Sequence, residues 1–535
     1  MKKKFLWKKN AFRILMLLVA VGLIAGCQKS EFKGAAPAPA PDDEKQLLAV
    51  TIANPLADQS FAALNAAFLF TSGSTQYYKE SVSSSSDDYF WRQALEIQMV
   101  QDVYLRTKST SHRTLITNLL NTFLQNEQGG GGLYDWNWNE YNDDLLWAGI
   151  AFARGYQITG NITFLNQAKY AFNRTYDRGW DNALGGGIWW DIRKNEKSGL
   201  SNNTAVILAL YIYESTGEAV YLTRASAIYD WIWATLFNQS TGAVYENINA
   251  NGVKSTAANT YNVGAFVSAA NALHRITGRE SVFDDAKKAV DYIVLTQTNN
   301  GIMTSGQRDG TSQSEFARGI GEFVRDNNLW STYWNWMRRN ADAAWSRRRT
   351  DLNVSWNNWT QNMPADNVTR SLECIGTVVM LNVTPVSQPG LTSGTTYRIT
   401  PKINEASALD VIAAGAANST KTNIWSYGGG AHQRWQLVGQ GRGYYRLTPT
   451  HATGMALDVN GASAANNADA QIYTWNNGGS AQLWKLVYDY DGYYKLKPKC
   501  APLNCLNVAG NNPANGTRCL LWKESNGDNE RWLLQ

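Results

Sequence analysis

Residues 142–178, NDDLLWAGIAFARGYQITGNITFLNQAKYAFNRTYDR, decide how the fold is read. Apolar residues recur there at spacings of three and four, the period of a helix rather than the alternation of a strand. Gly160 interrupts the pattern. A glycine at that point suits the left-handed C-cap of one helix, and a second helical run, FLNQAKYAF, starts a few residues later. The stretch is therefore a helical hairpin. The same grammar returns twice: Glu214-Ser215-Thr216-Gly217 precedes YLTRASAIYDWI, and Arg275-Ile276-Thr277-Gly278 precedes FDDAKKAVDYI. The three glycines lie 57 and 61 residues apart, within helical patterning that runs from about residue 46 to 382. About 335 residues at about 58 per period give close to six hairpins. Closed into a ring they form an all-α (α/α)6 toroid. An open solenoid is the alternative, but it calls for capping repeats and more uniform units.

Between the hairpins lie GGGGLYDWNWNEYNDD (129–144), DRGWDNALGGGIWWD (177–191) and TGAVYENIN (241–249). Loops of this kind gather at one mouth of a helical ring. The chain has 22 Trp, more than packing a core needs. An exposed aromatic face packs on the apolar C–H face of a sugar, and Asn, Asp and Tyr read its hydroxyls. Any single Trp is as well explained by filling gaps between outer helices; the clustering points to a cleft. Asp143 and Asp144 open the helix that follows the first of these loops. Carboxylates there cap free amides and suit the helix dipole. Their place at the mouth also fits glycoside hydrolysis, which needs two carboxyl groups close together. Neighbours inside a helix diverge, but at a loop-to-helix junction the first need not be helical, so both can face one sugar.

Composition excludes other classes. With 44% hydrophobic and 17% charged residues the chain is globular, not disordered. Its four His (His112, His274, His432, His451) and five Cys are scattered, which argues against a zinc site. No Walker loop and no GxGxxG at a strand-to-helix turn occurs. No metal and no cofactor is implied. Residues 1–26 carry Lys2, Lys3, Lys4, Lys8, Lys9 and Arg13 and no acid, so the formal charge of +5 falls to −1 without them. Global charge gives no reason to expect nucleic acid as a partner. The cluster Arg338, Arg339 and Arg347-Arg348-Arg349 reads as a solvated helix face rather than a site for acidic glycans.

The first 26 residues read as a signal: a basic start, then an apolar run (Ile14 to Ala25) too short for a comfortable membrane span. Leu23-Ile24-Ala25-Gly26-Cys27 resembles a bacterial lipobox, which implies that Cys27 becomes the lipidated N-terminus. Residues 27–45 form an Ala/Pro-rich tether. Gln28, rather than Asp, follows the Cys, so the expected location is the outer membrane or cell surface, with the membrane contacted only through the lipid and the protein a monomer.

Motifs along residues 46–384 carry a resemblance. YNDDLLWAGIAFARGYQITGN, GWDNALGGGIWW, SNNTAVILALYIYESTGEAVYL, TYNVGAFVSAANALHRITG and, more weakly, EFARGIGEFVRD are similar, in that order, to glycoside hydrolase family 76. The resemblance implies an (α/α)6 endo-α-1,6-mannanase that retains anomeric configuration and acts on α-mannan through consecutive aspartates. Carried over, it implies Asp143 as nucleophile and Asp144 as general acid/base, with Trp189, Trp190, Asn202, Tyr261 and Asn262 in the cleft. The polar segment after residue 300 departs from the pattern and leaves subsite preference open. Two alternatives remain: another hydrolase on the same toroid, such as an unsaturated glucuronyl hydrolase, and a non-catalytic glycan-capture surface lipoprotein.

Helical periodicity stops at a linker, residues 385–394. Over 395–535 short strands and Gly/Asn turns follow in three repeats. Leu409-Asp410-Val411 leads to Gln433-Arg434-Trp435, Leu457-Asp458-Val459 to Gln482-Leu483-Trp484, and Leu506-Asn507-Val508 to Glu530-Arg531-Trp532. The Trp lie 49 and 48 residues apart. Three such repeats predict an all-β β-trefoil. The QxW spacing resembles the ricin-type lectin fold. That resemblance implies sugar pockets at Asp458, Gln471, Tyr473, Asn477 and Gln482 in the middle repeat, and at Asp410, Asn423, Trp425 and Gln433 in the first. The third has lost its Asp. Cys500, Cys505 and Cys519 fall in this last repeat; Cys505 with Cys519 is one candidate disulfide, though spacing does not fix the connectivity. The linker predicts a separable module, with residues 46–384 folding alone.

Overall fold

A computed structural model describes residues 54–132, 135–304 and 313–535. The signal, the tether and Cys27 lie outside the described residues. Twelve helices are described: α1 (Pro55–Phe68), α2 (Phe90–Thr107), α3 (Thr110–Asn126), α4 (Asn142–Thr159), α5 (Ile162–Gly179), α6 (Gly199–Thr216), α7 (Ala219–Thr235), α8 (Thr260–Thr277), α9 (Glu280–Thr296), α10 (Ser314–Asn327), α11 (Trp330–Ser346) and α12 (Ser371–Val383). The even-numbered helices each pack on the next, and α12 packs back on α2, so the inner ring closes. The odd-numbered helices stand outside, with α1 behind α12. The toroid expectation therefore holds, and the first helix of the chain partners the last.

The two layers differ as their environments require. Outer α5 is amphipathic and buries a stripe of Phe164, Leu165, Ala168, Ala171, Phe172 and Thr175. Inner α4 is buried almost all round. Near the ring axis Asp102 of α2 accepts from Arg154 of α4 at 2.5 Å and from Arg318 of α10 at 2.9 Å. Burial alone would raise this carboxyl, but the two guanidiniums more than offset it and hold it below its ordinary value. This buried triad ties three inner helices together across the ring.

Five of the six inner helices reverse into the outer helix that follows through one left-handed residue, while α12 ends in extended backbone at Thr384. Gly160, Gly217 and Gly278 do this at φ +74°, +75° and +68°. Lys108 and Asn328 do it at φ 52° and 50°, without the glycine signal. These tight turns form the base of the ring. The longer outer-to-inner loops form the mouth, where every inner helix begins. A three-stranded sheet of Glu196–Ser198, Asn247–Asn249 and Lys254–Ser255 locks two of the aromatic loops to each other.

The C-terminal part is a trefoil of twelve strands from Thr396 to Leu534. Six strands close a barrel and three further hairpins, Ser407–Val411 with Thr420–Ser426, Met455–Val459 with Ala470–Thr474, and Asn504–Val508 with Cys519–Lys523, complete the three repeats. The indole N–H groups of Trp435, Trp484 and Trp532 donate to the carbonyls of Leu409, Leu457 and Leu506, each at 2.9 Å. All three rings are buried, so the repeated Trp are core. Cys505 and Cys519 are both free, a correction to the candidate disulfide. They sit three rungs apart on one hairpin, opposite Trp522 and Val508. At about 3.4 Å per residue that is farther than a disulfide spans.

The trefoil does not hang on its linker. It is bolted to the base of the ring. Lys485 donates to the Asn327 side chain and Asn328 to Tyr445, both at 2.5 Å. Arg442 pairs with Glu280 and Asp284 at 2.9 and 3.0 Å, and Lys499 also reaches Glu280. Trp330 packs edge-on to Tyr488 with centroids 5.7 Å apart. Desolvation pushes the Lys485 ammonium down to about 7, as befits a lysine enclosed between two domains. The linker therefore joins two faces that pack against each other rather than a free hinge.

Candidate active site and trefoil sugar sites

Asp143 and Asp144 occupy the first turn of α4 at the mouth, 9% and 7% exposed. Each carboxylate has its own partner. The Trp190 indole donates to Asp143 Oδ2 at 3.1 Å, and Asn139 Nδ2 donates to Asp144 Oδ2 at 2.9 Å. Burial raises both carboxyls above the usual range. Asp143 is raised further because the charge of Asp144 stands beside it, while the Asn139 hydrogen bond and the Arg178 guanidinium oppose the rise at Asp144. The charge of one carboxyl opposes ionisation of the other, so the two lose their protons as a pair rather than independently.

The residues expected around the pair divide. Trp190 is half-buried, holds Asp143 and packs on Tyr141 with centroids 5.0 Å apart. Tyr261 is half-buried and donates its hydroxyl to Glu246; burial first, then the Glu246 carboxylate, raises its phenol, with Asp143 adding a smaller push. Trp189, Asn202 and Asn262 lie beneath the cleft instead. Trp189 is buried, with its indole donating to Asp181 at 2.7 Å and the Lys197 ammonium 4.7 Å over its ring. Asn202 and Asn262 are 0% exposed. Asn202 accepts from the Ile188 amide and donates to the carbonyls of Ile188 and Ser198. Asn262 donates to the Tyr245 carbonyl and accepts from Asn203. Both asparagines brace the backbone of the loops, which explains an Asn near each helix start without any sugar contact.

Residue patterns alone missed Asn139, Arg178, Tyr89 and Glu246. Tyr89 is half exposed and lies close enough to feel the Asp144 charge. Glu246 is raised by burial, opposed by the Tyr261 hydrogen bond. Asn139 and Glu246 sit inside loops already assigned to the mouth, so their polar character among aromatics was the available signal. Arg178 and Tyr89 carried none. Of the arginine cluster, Arg338 pairs with Asp342, and Arg349 is buried against Asp351, the Asp366 carbonyl and Thr369.

In the trefoil the middle repeat places Asp458 opposite Gln471, whose amide donates to it at 2.9 Å. Tyr473, two residues on, is 40% exposed. The first repeat sets Asp410 opposite Asn423, with Trp425 48% exposed and His432 Nε2 3.3 Å from Asp410. The third has Asn507 opposite Leu520, with Trp522 45% exposed. Asn477 is exposed at φ 60° in the loop after Tyr473. Gln433 and Gln482 are buried braces rather than ligand groups: each accepts from one backbone amide and donates to a carbonyl of the neighbouring loop. Glu530 does the accepting part alone, from Ser525 and Asn526. That brace explains why the third repeat keeps its fold after losing its Asp.

The glycosyl hydrolase family 76 model matches residues 58–389, and a ricin-type β-trefoil lectin domain-like model matches 387–473 and 450–522. A curated relative, the mannan endo-1,6-α-mannosidase DCW1 of Eremothecium gossypii, is 24% identical over 303 residues, 50% of this chain; the chain spans 65% of that relative's length. Among solved structures, an inactive α-1,6-mannanase of Salegentibacter sp. HEL1_6, with two neighbouring aspartates replaced by asparagine and α-1,6-mannotriose bound, is 26% identical. It superposes with a TM-score of 0.54 over 62% of this chain and 98% of its own. A family 76 mannosidase of Bacteroides thetaiotaomicron, 19% identical, shares the fold with a TM-score of 0.53 over 62% of this chain and 95% of its own.

Proposed function

This chain belongs to glycosyl hydrolase family 76, and on that premise we propose that it cleaves internal α-1,6-mannosidic bonds of mannan-type polysaccharide with retained configuration, while its trefoil holds glycan. The observation that carries the reading is the pair of buried carboxyls at the open end of the ring, both pushed above the usual carboxylate range. The loss of activity in the Salegentibacter mannanase with two neighbouring aspartates replaced supports assigning the chemistry to Asp143 and Asp144.

In the first half-reaction Asp143 attacks the anomeric carbon as the bond to the leaving oxygen breaks, and Asp144 gives that oxygen its proton. In the second, Asp144 takes a proton from water, whose oxygen displaces Asp143 from the sugar. Positive charge developing at the anomeric carbon favours the Asp143 carboxylate, whose charge in turn helps keep the proton on Asp144. The buried Asp143 Oδ1, which has no hydrogen-bond partner among the described residues, favours a second reading with the two roles interchanged. A uronide substrate would want a free cation in the cleft. Arg178 is instead turned into the 139–142 turn, and Arg193 onto Asp191.

Incubation with linear α-1,6-mannan should release reducing ends on fragments of intermediate length. Release of mannose alone would indicate exo cleavage, and no release would leave only glycan capture. For the trefoil, Trp425→Ala with Tyr473→Ala should lower retention on immobilised mannan by about tenfold or more, the loss of two stacking platforms. The melting temperature should stay unchanged, because both rings are exposed. Undiminished retention would mean that these faces bind no glycan.

The lipobox-like string and the tether support a monomer held at the outer membrane or cell surface by a lipid on Cys27. Cys27→Ala should move the protein from the detergent phase to the aqueous phase. A variant as membrane-bound as its parent would remove the anchor from this account.

A further inference from the structure

Arg178 ends α5, an outer helix, where a cation is favoured by the helix dipole. Its guanidinium is spent on one short stretch of chain. Nε donates to Asn142 Oδ1 at 2.7 Å, Nη1 to the Asn139 carbonyl at 3.0 Å and Nη2 to the Tyr141 carbonyl at 3.4 Å. Two of those contacts lead to a carboxylate. Asn139 donates to Asp144. Asn142 donates to the Trp189 carbonyl at 2.7 Å, and the next residue, Trp190, donates to Asp143. We propose that Arg178 is a positioning residue for both carboxyls, clamping the 139–142 turn from outside the ring and presenting its charge to Asp144.

The inference rests on the reading of Asp143 and Asp144 as the catalytic pair. A planar fork with three donors in fixed directions suits this clamp, and an ammonium does not. The other ionisable groups near Asp144 are Asp143 and the Tyr89 phenol, with Glu127 and Tyr141 beyond Tyr89. Arg178 itself faces Arg174, Tyr170, Asp144 and Glu140, and burial with Arg174 pushes it down to about 10. It therefore stays charged through the working range of a carboxyl pair and acts on Asp144 as a constant cation.

The test is the pH profile of kcat/KM on linear α-1,6-mannan oligosaccharides. Arg178→Gln should lower the maximum at least about tenfold through misplaced carboxyls. Its alkaline limb should move up by about one pH unit, because Asp144, the proton donor, ionises less readily without the charge. Arg178→Lys keeps the charge and loses the fork, so its alkaline limb should stay while its rate falls. A merely structural role would lower the rate in both variants with neither limb moved, and would overturn the electrostatic part. A parent-like rate in Arg178→Lys would overturn the clamp, and that variant decides alone if Arg178→Gln does not fold. Activity surviving in Asp144→Ala would instead sink the reading of the carboxyl pair itself.

Discussion

Asp143→Asn is expected to lower turnover by about 10⁴-fold or more on every substrate, since an amide cannot form the glycosyl ester. Asp144→Ala should behave differently. An activated aryl leaving group hardly needs a proton, so the first half-reaction should still run. The ester should then accumulate for want of a base. Azide needs no general base. It should restore turnover of Asp144→Ala and give a glycosyl azide of retained configuration. In the interchanged arrangement Asp143→Ala gives the retained azide and Asp144→Ala an inverted one. Activity that survives both substitutions would reduce the pair to a helix cap.

Removal of the trefoil after residue 384 should leave the ring insoluble, or melting lower by at least about 5 °C, rather than a free-standing catalyst. The base would expose Trp330 and would strip Asn327 and Asn328 of the trefoil groups that pair with them. The intact protein should unfold in one transition rather than two. Gly443 tests this docking without truncation. It sits at φ +77°, and a Cβ there would lie 2.5 Å from the Asn327 carbonyl oxygen. Gly443→Ala combines backbone strain with that clash, so it should cost about 2–4 kcal/mol and lower the transition of the whole molecule. A trefoil transition that falls alone, with mannan cleavage by residues 46–384 undiminished, would restore the picture of a tethered module.

The repeat was legible because Gly160, Gly217 and Gly278 mark three of the hairpin turns. The Lys108 and Asn328 turns were not, since a non-glycine residue forced into the same left-handed conformation leaves no trace in composition. The carboxyl pair was legible through its loop. Its support was not: Arg178 is 34 residues from Asp144 and meets it only because α5 runs back to the mouth. Trp189 and Trp190 show the limit most sharply. Adjacent aromatics in one loop read alike, yet one faces Asp143 and the other is enclosed over Lys197.

Residue order alone determined the helical period, the six hairpins, the threefold Trp spacing and the placing of two aspartates at a mouth. All of these follow from local patterning, which needs no partner from elsewhere in the chain. Tertiary structure alone decided that the ring closes with α1 behind α12, that the trefoil seals its base, and that both carboxyls of the pair are pushed above their ordinary range. These outcomes depend on which surfaces meet and how much water they exclude. Burial and charge proximity are properties of the packed molecule, and no spacing of residues along the chain encodes them.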